Sequence, residues 1–320
     1  MRTTRSLSLI FLAVCVLGAA DAKTQDTATR NCAGLDYSCE ELVELGFTYP
    51  FSREADSYLF VNGAVYPYRK ITNHLLDDSV VSLPDKTEIS VRRLLATFGL
   101  ESEMNKQLIP VIGYGSDPAP SQLRRKFIRS GFRGNAVIPV IKGRLRNYDI
   151  VWSPFFVSYG AMPSTIMPSP GTDVEIWVTW LDGETVRRMN ASEGTGDLYA
   201  FGSLRNVQFE LAGPKPKEMM VYVSCFGALN VDGTVLALAA VPATKRTALP
   251  VDSASALSAV MPKLGWTGSV LELLYANVTS PSGRAERTLK IKDLGVSAND
   301  PHFYAITTCG TKKRTGGGKF

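Results

Sequence analysis

Four cysteines constrain most strongly how this chain can fold. The N-terminus carries Arg2 and Arg5, then an apolar run from Leu7 to Leu17, then Ala20-Asp21-Ala22. This order fits a secretory leader with a small-x-small cleavage site, and the apolar run is too short for a membrane span. Residues 1–22 are therefore expected to be removed and the mature protein to be secreted. Cys15 leaves with the leader, so Cys32, Cys39, Cys225 and Cys309 remain. An even number in an oxidising compartment predicts two disulfides, with three possible connectivities. The short Cys32–Cys39 spacing makes that pair the natural choice and leaves Cys225 for Cys309. Asn190-Ala-Ser192 and Asn277-Val-Thr279 are sequons that fit a secreted glycoprotein.

Composition excludes several classes. Hydrophobic residues at 45% and charged residues at 20% describe an ordinary globular protein rather than a disordered chain, a collagen-like rod or a multi-span membrane protein. The only histidines in 320 residues are His74 and His302, so no three-His zinc site can be built. A P-loop, a Gly-x-Ser-x-Gly elbow and a Cys-x-x-Cys pair are all missing, and Gly113-Tyr-Gly115 continues into Pro118 where a dinucleotide fingerprint needs glycine. We therefore expect neither metal nor cofactor. The net charge of +5 falls to +4 without the leader, a mild basic balance that is only weak evidence for a polyanionic partner, and no nucleic-acid partner is expected. The run Arg124, Arg125, Lys126, Arg129 and Arg133 reads as the solvated face of a helix whose other face carries Leu123 and Phe127. No membrane partner is expected after leader removal, and oligomeric state is not encoded in any pattern we recognise.

Along the chain, residues 23–107 read as a disulfide-clipped lead-in with a helix at Glu40 to Leu45, a hairpin from Tyr58 to Tyr68 around Asn62-Gly63, and a helix from Ile89 to Phe98. A denser core follows at 108–250. Leu108 to Ser116 is a buried strand running into a glycine turn, and Pro118 to Ile128 a helix with proline near its start. Strands are expected at Ala136–Val140, Val174–Trp180, Val207–Leu211, Met220–Cys225 and Val235–Val241, with a short helix at Glu184–Met189. Residues 251–310 form a C-terminal elaboration with a helix at Ser253–Leu264 and a segment, Leu271–Val278, that periodicity leaves open between helix and strand. Residues 311–320 read as a disordered basic tail.

The strand, Gly-Tyr-Gly-Ser turn and helix suit a carboxylate or oxyanion, because glycines let backbone amides face a ligand at a helix start. This segment, VIGYGSDPAPSQLRRKF, resembles the Tyr-Gly-Ser-Asn loop and following helix of γ-glutamylcyclotransferases. Ser164 to Gly171 resembles the family segment before a central strand, which then matches Val174–Trp180. Arg188-Met-Asn-Ala-Ser-Glu193-Gly194 resembles the short helix ending in Glu-Gly, and Tyr199 follows in order. The four blocks cover residues 108–212. Asp117 departs from the pattern, standing where the family usually has Asn; Ile176 or a neighbour replaces a common glycine.

The resemblance implies an α+β fold, a mixed small β-barrel flanked by helices, with N- and C-terminal elaborations. It implies Glu193 as the catalytic acid/base and Gly113, Tyr114, Gly115, Ser116 and Asp117 as the substrate-binding loop for a small γ-glutamyl compound. Such a substrate supplies its own nucleophile, so a shortage of histidine is no obstacle. Asp117 is also a candidate cap for the helix beginning at Pro118, and Asp182 and Glu184 are expected to be exposed turn residues. The alternatives are a non-catalytic secreted protein that binds a small carboxylate on the same fold, and a related γ-glutamyl acyl-transfer or amide-cleaving enzyme.

Overall fold

The structure, a computed structural model, describes residues 32, 37–297 and 299–310. The leader and the basic tail lie outside them. The fold is mixed α+β: a large, mostly antiparallel sheet with seven α-helices among the described residues.

Its spine is one long hairpin, Val137–Trp152 paired antiparallel with Ser164–Leu181. The sequence reading placed only the outer parts of these strands, at 136–140 and 174–180. Between them the chain continues as strand through Lys142, Arg144 and Arg146, with a register shift where Asn147 takes a positive φ of 64°. Bulges of this kind bend long strands and increase their twist.

The strand Ile109–Gly113 adds to one side of the hairpin, antiparallel to Ser164–Leu181 and parallel to Glu218–Ser224. Next come Tyr199–Arg205 and Phe303–Thr307. On the other side, Val137–Val140 pairs with Tyr58–Val61, which turns through Asn62 and Gly63 into Ala64–Lys70. Both turn residues have positive φ, the geometry that Asn-Gly hairpins supply.

The two end strands of this path, Phe303–Thr307 and Glu88–Ser90, do not pair with each other, so the described strands do not close into the expected barrel. Residues from the lead-in and the C-terminal elaboration thus share one sheet with the central segment. They also share one apolar core, from Leu42 to Ile291.

The helix Ser253–Leu264 appears where expected, capped by Asp252 and ended by Gly265 in the left-handed region. The undecided segment is a helix, Val270–Thr279, opened by a Ser269–Glu272 capping box. A further helix, Pro281–Ile291, was not anticipated. These three and Cys39–Thr48 pack together beside the sheet. Asn277 is fully buried, its side-chain amide donating to Gly160 O at 3.0 Å and accepting from Arg287 at 2.6 Å. A glycan on Asn277 would have to displace this packing.

Cys32 and Cys39 are bonded, as are Cys225 and Cys309, consistent with an oxidising compartment. No helix among the described residues is long and apolar enough to cross a membrane. The second disulfide closes a separation of 84 residues and anchors the segment just beyond Phe303–Thr307. Replacing both cysteines with serine should cost about 2–4 kcal/mol in denaturant unfolding. A cost under about 1 kcal/mol would mean that the strand ladder alone holds this end.

Candidate functional site

The glycine turn leaves the sheet at Gly113, the last residue of a strand that has neighbouring strands on both sides. Gly115 permits a close approach: a Cβ there would lie 2.6 Å from the Tyr49 hydroxyl and 2.9 Å from Ser164 Oγ. Those two groups are themselves bonded, with 2.7 Å between the Tyr49 and Ser164 hydroxyls. Any side chain at position 115 would break that contact.

Arg53, from the lead-in, donates one Nη to both the Tyr114 and Gly115 carbonyls at 2.8 Å. Each peptide unit is planar and trans, so its N–H points opposite to its C=O. Fixing these two carbonyls therefore aims the Gly115 and Ser116 amides away from Arg53. The amides of Gly115, Ser116 and Asp117 find no acceptor among the described residues, although Gly115 and Ser116 are buried. Buried main-chain donors are nearly always satisfied. Two buried amides that are not, with the Asp117 amide beside them, are suited to an anion.

Tyrosines line the surroundings. Tyr114 donates to Tyr222 O at 2.5 Å, Tyr199 to Ser164 O at 3.0 Å, and Tyr58 to Pro118 O at 2.5 Å. The Tyr159 ring stacks on Tyr49 at 6.1 Å and its phenol lies beside Ser116. Burial pushes the phenols of Tyr49, Tyr114, Tyr159, Tyr199 and Tyr222 far above their ordinary range, so all stay neutral.

Glu193 ends the helix Gly183–Ser192 as its C-cap, before Gly194 at φ 62°. Its carboxylate accepts from Lys126 Nζ, which also donates to Asp117 Oδ1 at 2.6 Å. The turn and the Glu193 helix thus meet through one ammonium group. The Lys126 side chain is 1% exposed, against 15% for Asp117 and 17% for Glu193.

Burial raises the Glu193 pKa above the usual carboxylate range and Asp117 adds to this; Lys126 and Arg125 pull it back in part. For Lys126, burial acts against the charged form, but attraction to Asp117 and Glu193 outweighs it and its pKa is raised.

Three sequence expectations need correction. Lys126 is not on a solvated face. It belongs to a π-helical turn, Arg125–Arg129, that continues the short helix Pro120–Arg124; such turns recur at functional sites. Asp117 does not cap that helix, whose N-cap is Ala119 without a side-chain bond, because its carboxylate is drawn to Lys126. Asp182 is buried: it caps Gly183–Ser192 and pairs with Lys106 at 2.8 Å, while Glu184 is exposed as expected.

Sequence reasoning missed Arg53 and the role of Lys126. Nothing local marks Arg53. Lys126, however, stands three residues after Leu123, the spacing that makes two helical residues neighbours on one face. Asn190, the sequon beside the site, accepts from the buried Tyr222 hydroxyl at 2.6 Å.

No cluster of three or more metal-ligating side chains occurs among the described residues. No protein-family model matches the chain, and no curated protein matches it significantly.

Proposed function

We propose that the chain is a γ-glutamylcyclotransferase-like protein that cyclises a γ-glutamyl amine or peptide to 5-oxoproline, releasing the amine. The observation that carries this reading is the convergence of Glu193 on the glycine turn, through Lys126 and Asp117, beside the buried amides of Gly115 and Ser116, which find no acceptor among the described residues.

In this chemistry the substrate α-amine attacks its own γ-carbonyl. The new C–N bond closes a five-membered lactam, and the bond to the leaving amine breaks. Intramolecular attack has a high effective concentration, so the protein's main task is to hold the folded conformer. The Gly115 and Ser116 amides stabilise the developing oxyanion. Glu193 takes the proton from the attacking nitrogen and returns it to the leaving amine. No water is consumed.

Incubation with γ-glutamyl dipeptides, read by product mass, tests the proposal. Release of 5-oxoproline supports it. Glutamate, which carries the mass of an added water, would point instead to amide hydrolysis.

A second reading is a binding protein for small carboxylates. It is favoured by Lys126, whose ammonium already occupies the Glu193 oxygen that a substrate ammonium would take. Binding of γ-glutamyl dipeptides without any release would establish that reading over the first.

Both readings need the turn. Gly115→Ala should abolish 5-oxoproline binding in calorimetry while the circular dichroism spectrum is retained. Unchanged affinity would remove the turn from the site.

A further inference from the structure

The Asp117–Lys126–Glu193 cluster is more than an ion pair at the edge of the candidate site. Its ammonium contacts three groups: Asp117 Oδ1 at 2.6 Å, Glu193 Oε1, and Met189 Sδ at 3.1 Å. The backbone beneath is held as well, since the Lys126 carbonyl accepts from Arg188 Nε at 2.9 Å and from the Ser130 hydroxyl.

None of the three charges is stable in this place alone. A buried lysine without partners tends to lose its proton, and two neighbouring carboxylates without a cation tend to share one. Removing one member of a buried pair leaves an uncompensated charge.

We propose that Lys126 is a positioning residue: it fixes Glu193 against the turn and offsets the charge of Asp117, so that Glu193 can stand as a carboxylate beside a second acidic group. This inference rests on the reading of Glu193 as the acid/base. It assigns a purpose to the pairing of Asp117 with Lys126, where a neutral amide at position 117 would need no counter-ion.

The groups that face Glu193 come from several elements. Asp117 and Tyr114 lie on the turn, Lys126 and Arg125 on the π-helical turn, Tyr199 and Tyr222 on adjacent strands, and Tyr159 on the connection between the long strands. Arg188, on the Glu193 helix, lies near Arg125. The tyrosines stay neutral and the arginines charged. Among these neighbours Asp117 and Lys126 act most strongly on Glu193, so their replacement should move its titration most.

The directions follow from charge. Lys126→Met removes an attraction and leaves Asp117 opposing ionisation, so the Glu193 midpoint should move up. Asp117→Asn removes the repulsion, so it should move down. The double variant D117N/K126M loses both and should return toward the unmodified protein.

The test is an NMR titration of protein labelled with 13C at glutamate carboxyls, with the Glu193 signal assigned by its loss in Glu193→Gln. The predicted order of midpoints is K126M highest, D117N lowest, and the double variant between them. An unmoved midpoint in K126M overturns the proposal. So does an upward shift that D117N fails to reverse, because a merely structural lysine would not be rescued by removing a charge. If K126M does not fold, comparison of D117N with D117N/K126M must still show an upward shift on losing the lysine, and its absence overturns the proposal.

No substrate is needed for this titration. The predicted order without any 5-oxoproline release would uphold the coupling and sink the cyclisation reading.

Discussion

Glu193→Gln should lower the rate of 5-oxoproline release by about 10²–10⁴-fold, the usual contribution of a positioned acid/base. The substitution keeps the shape of the side chain and its capacity to accept from Lys126, so the turn and helix stay joined. Affinity for 5-oxoproline should change little, because the Arg53-held amides are untouched. Single-turnover assays on γ-glutamyl dipeptides, beside calorimetry on the product, separate these effects. Full activity in the variant would exclude Glu193 as the proton carrier.

A second signature is linked to pH. The raised pKa of Glu193 means that the folded protein keeps this proton at pH values where the unfolded chain has lost it. Stability from this group is therefore present below the ordinary carboxylate range and is lost as pH rises through the raised folded value. Glu193→Gln removes the titration, so the fall in stability across that window should be smaller in the variant. Parallel pH–stability curves would show that the carboxyl is not perturbed in the fold.

What was legible in the sequence were the local signals. The helix Ser253–Leu264 is found at its expected bounds, and Asn62-Gly63 gives the hairpin turn. The sequence also singles out the glycine turn and Glu193 as candidates, and the structure joins them through Lys126.

The long strands were harder. Pro168 and Pro170 lie inside Ser164–Leu181, although proline argues against central strands. The register shift of the hairpin falls beside Tyr148, the residue opposite Pro168, and relieves that conflict. Lys126 was misread because its charge was weighed above its helical position. Arg53 and the partners of Asp149 could not be read at all, since they act across 61 and 97 residues and no periodicity links such distances.

The Asp149 pair should produce the largest loss of stability. Asp149 is fully buried in the long strand Val137–Trp152, and its two carboxylate oxygens accept from Arg246 Nε and Nη at 2.8–3.0 Å. The same guanidinium also donates to Val241 O at 3.0 Å, tying the segment after Thr234–Leu238 to the sheet. Asp149→Ala would strand a guanidinium only 9% exposed, and losing one partner of a buried pair costs about 3–5 kcal/mol. Replacing both residues should cost less than Asp149→Ala alone, since D149L/R246M removes both charges and fills the space with apolar atoms. Denaturant unfolding of the single and double variants measures the difference. A single-variant cost under about 1 kcal/mol would mean that water reaches Arg246 and that the pair is no more than a surface bridge. Neither side chain bonds to the glycine turn or to Glu193, so 5-oxoproline binding should survive in any variant that remains folded. Lost binding in a folded D149L/R246M variant would instead link this strap to the candidate site.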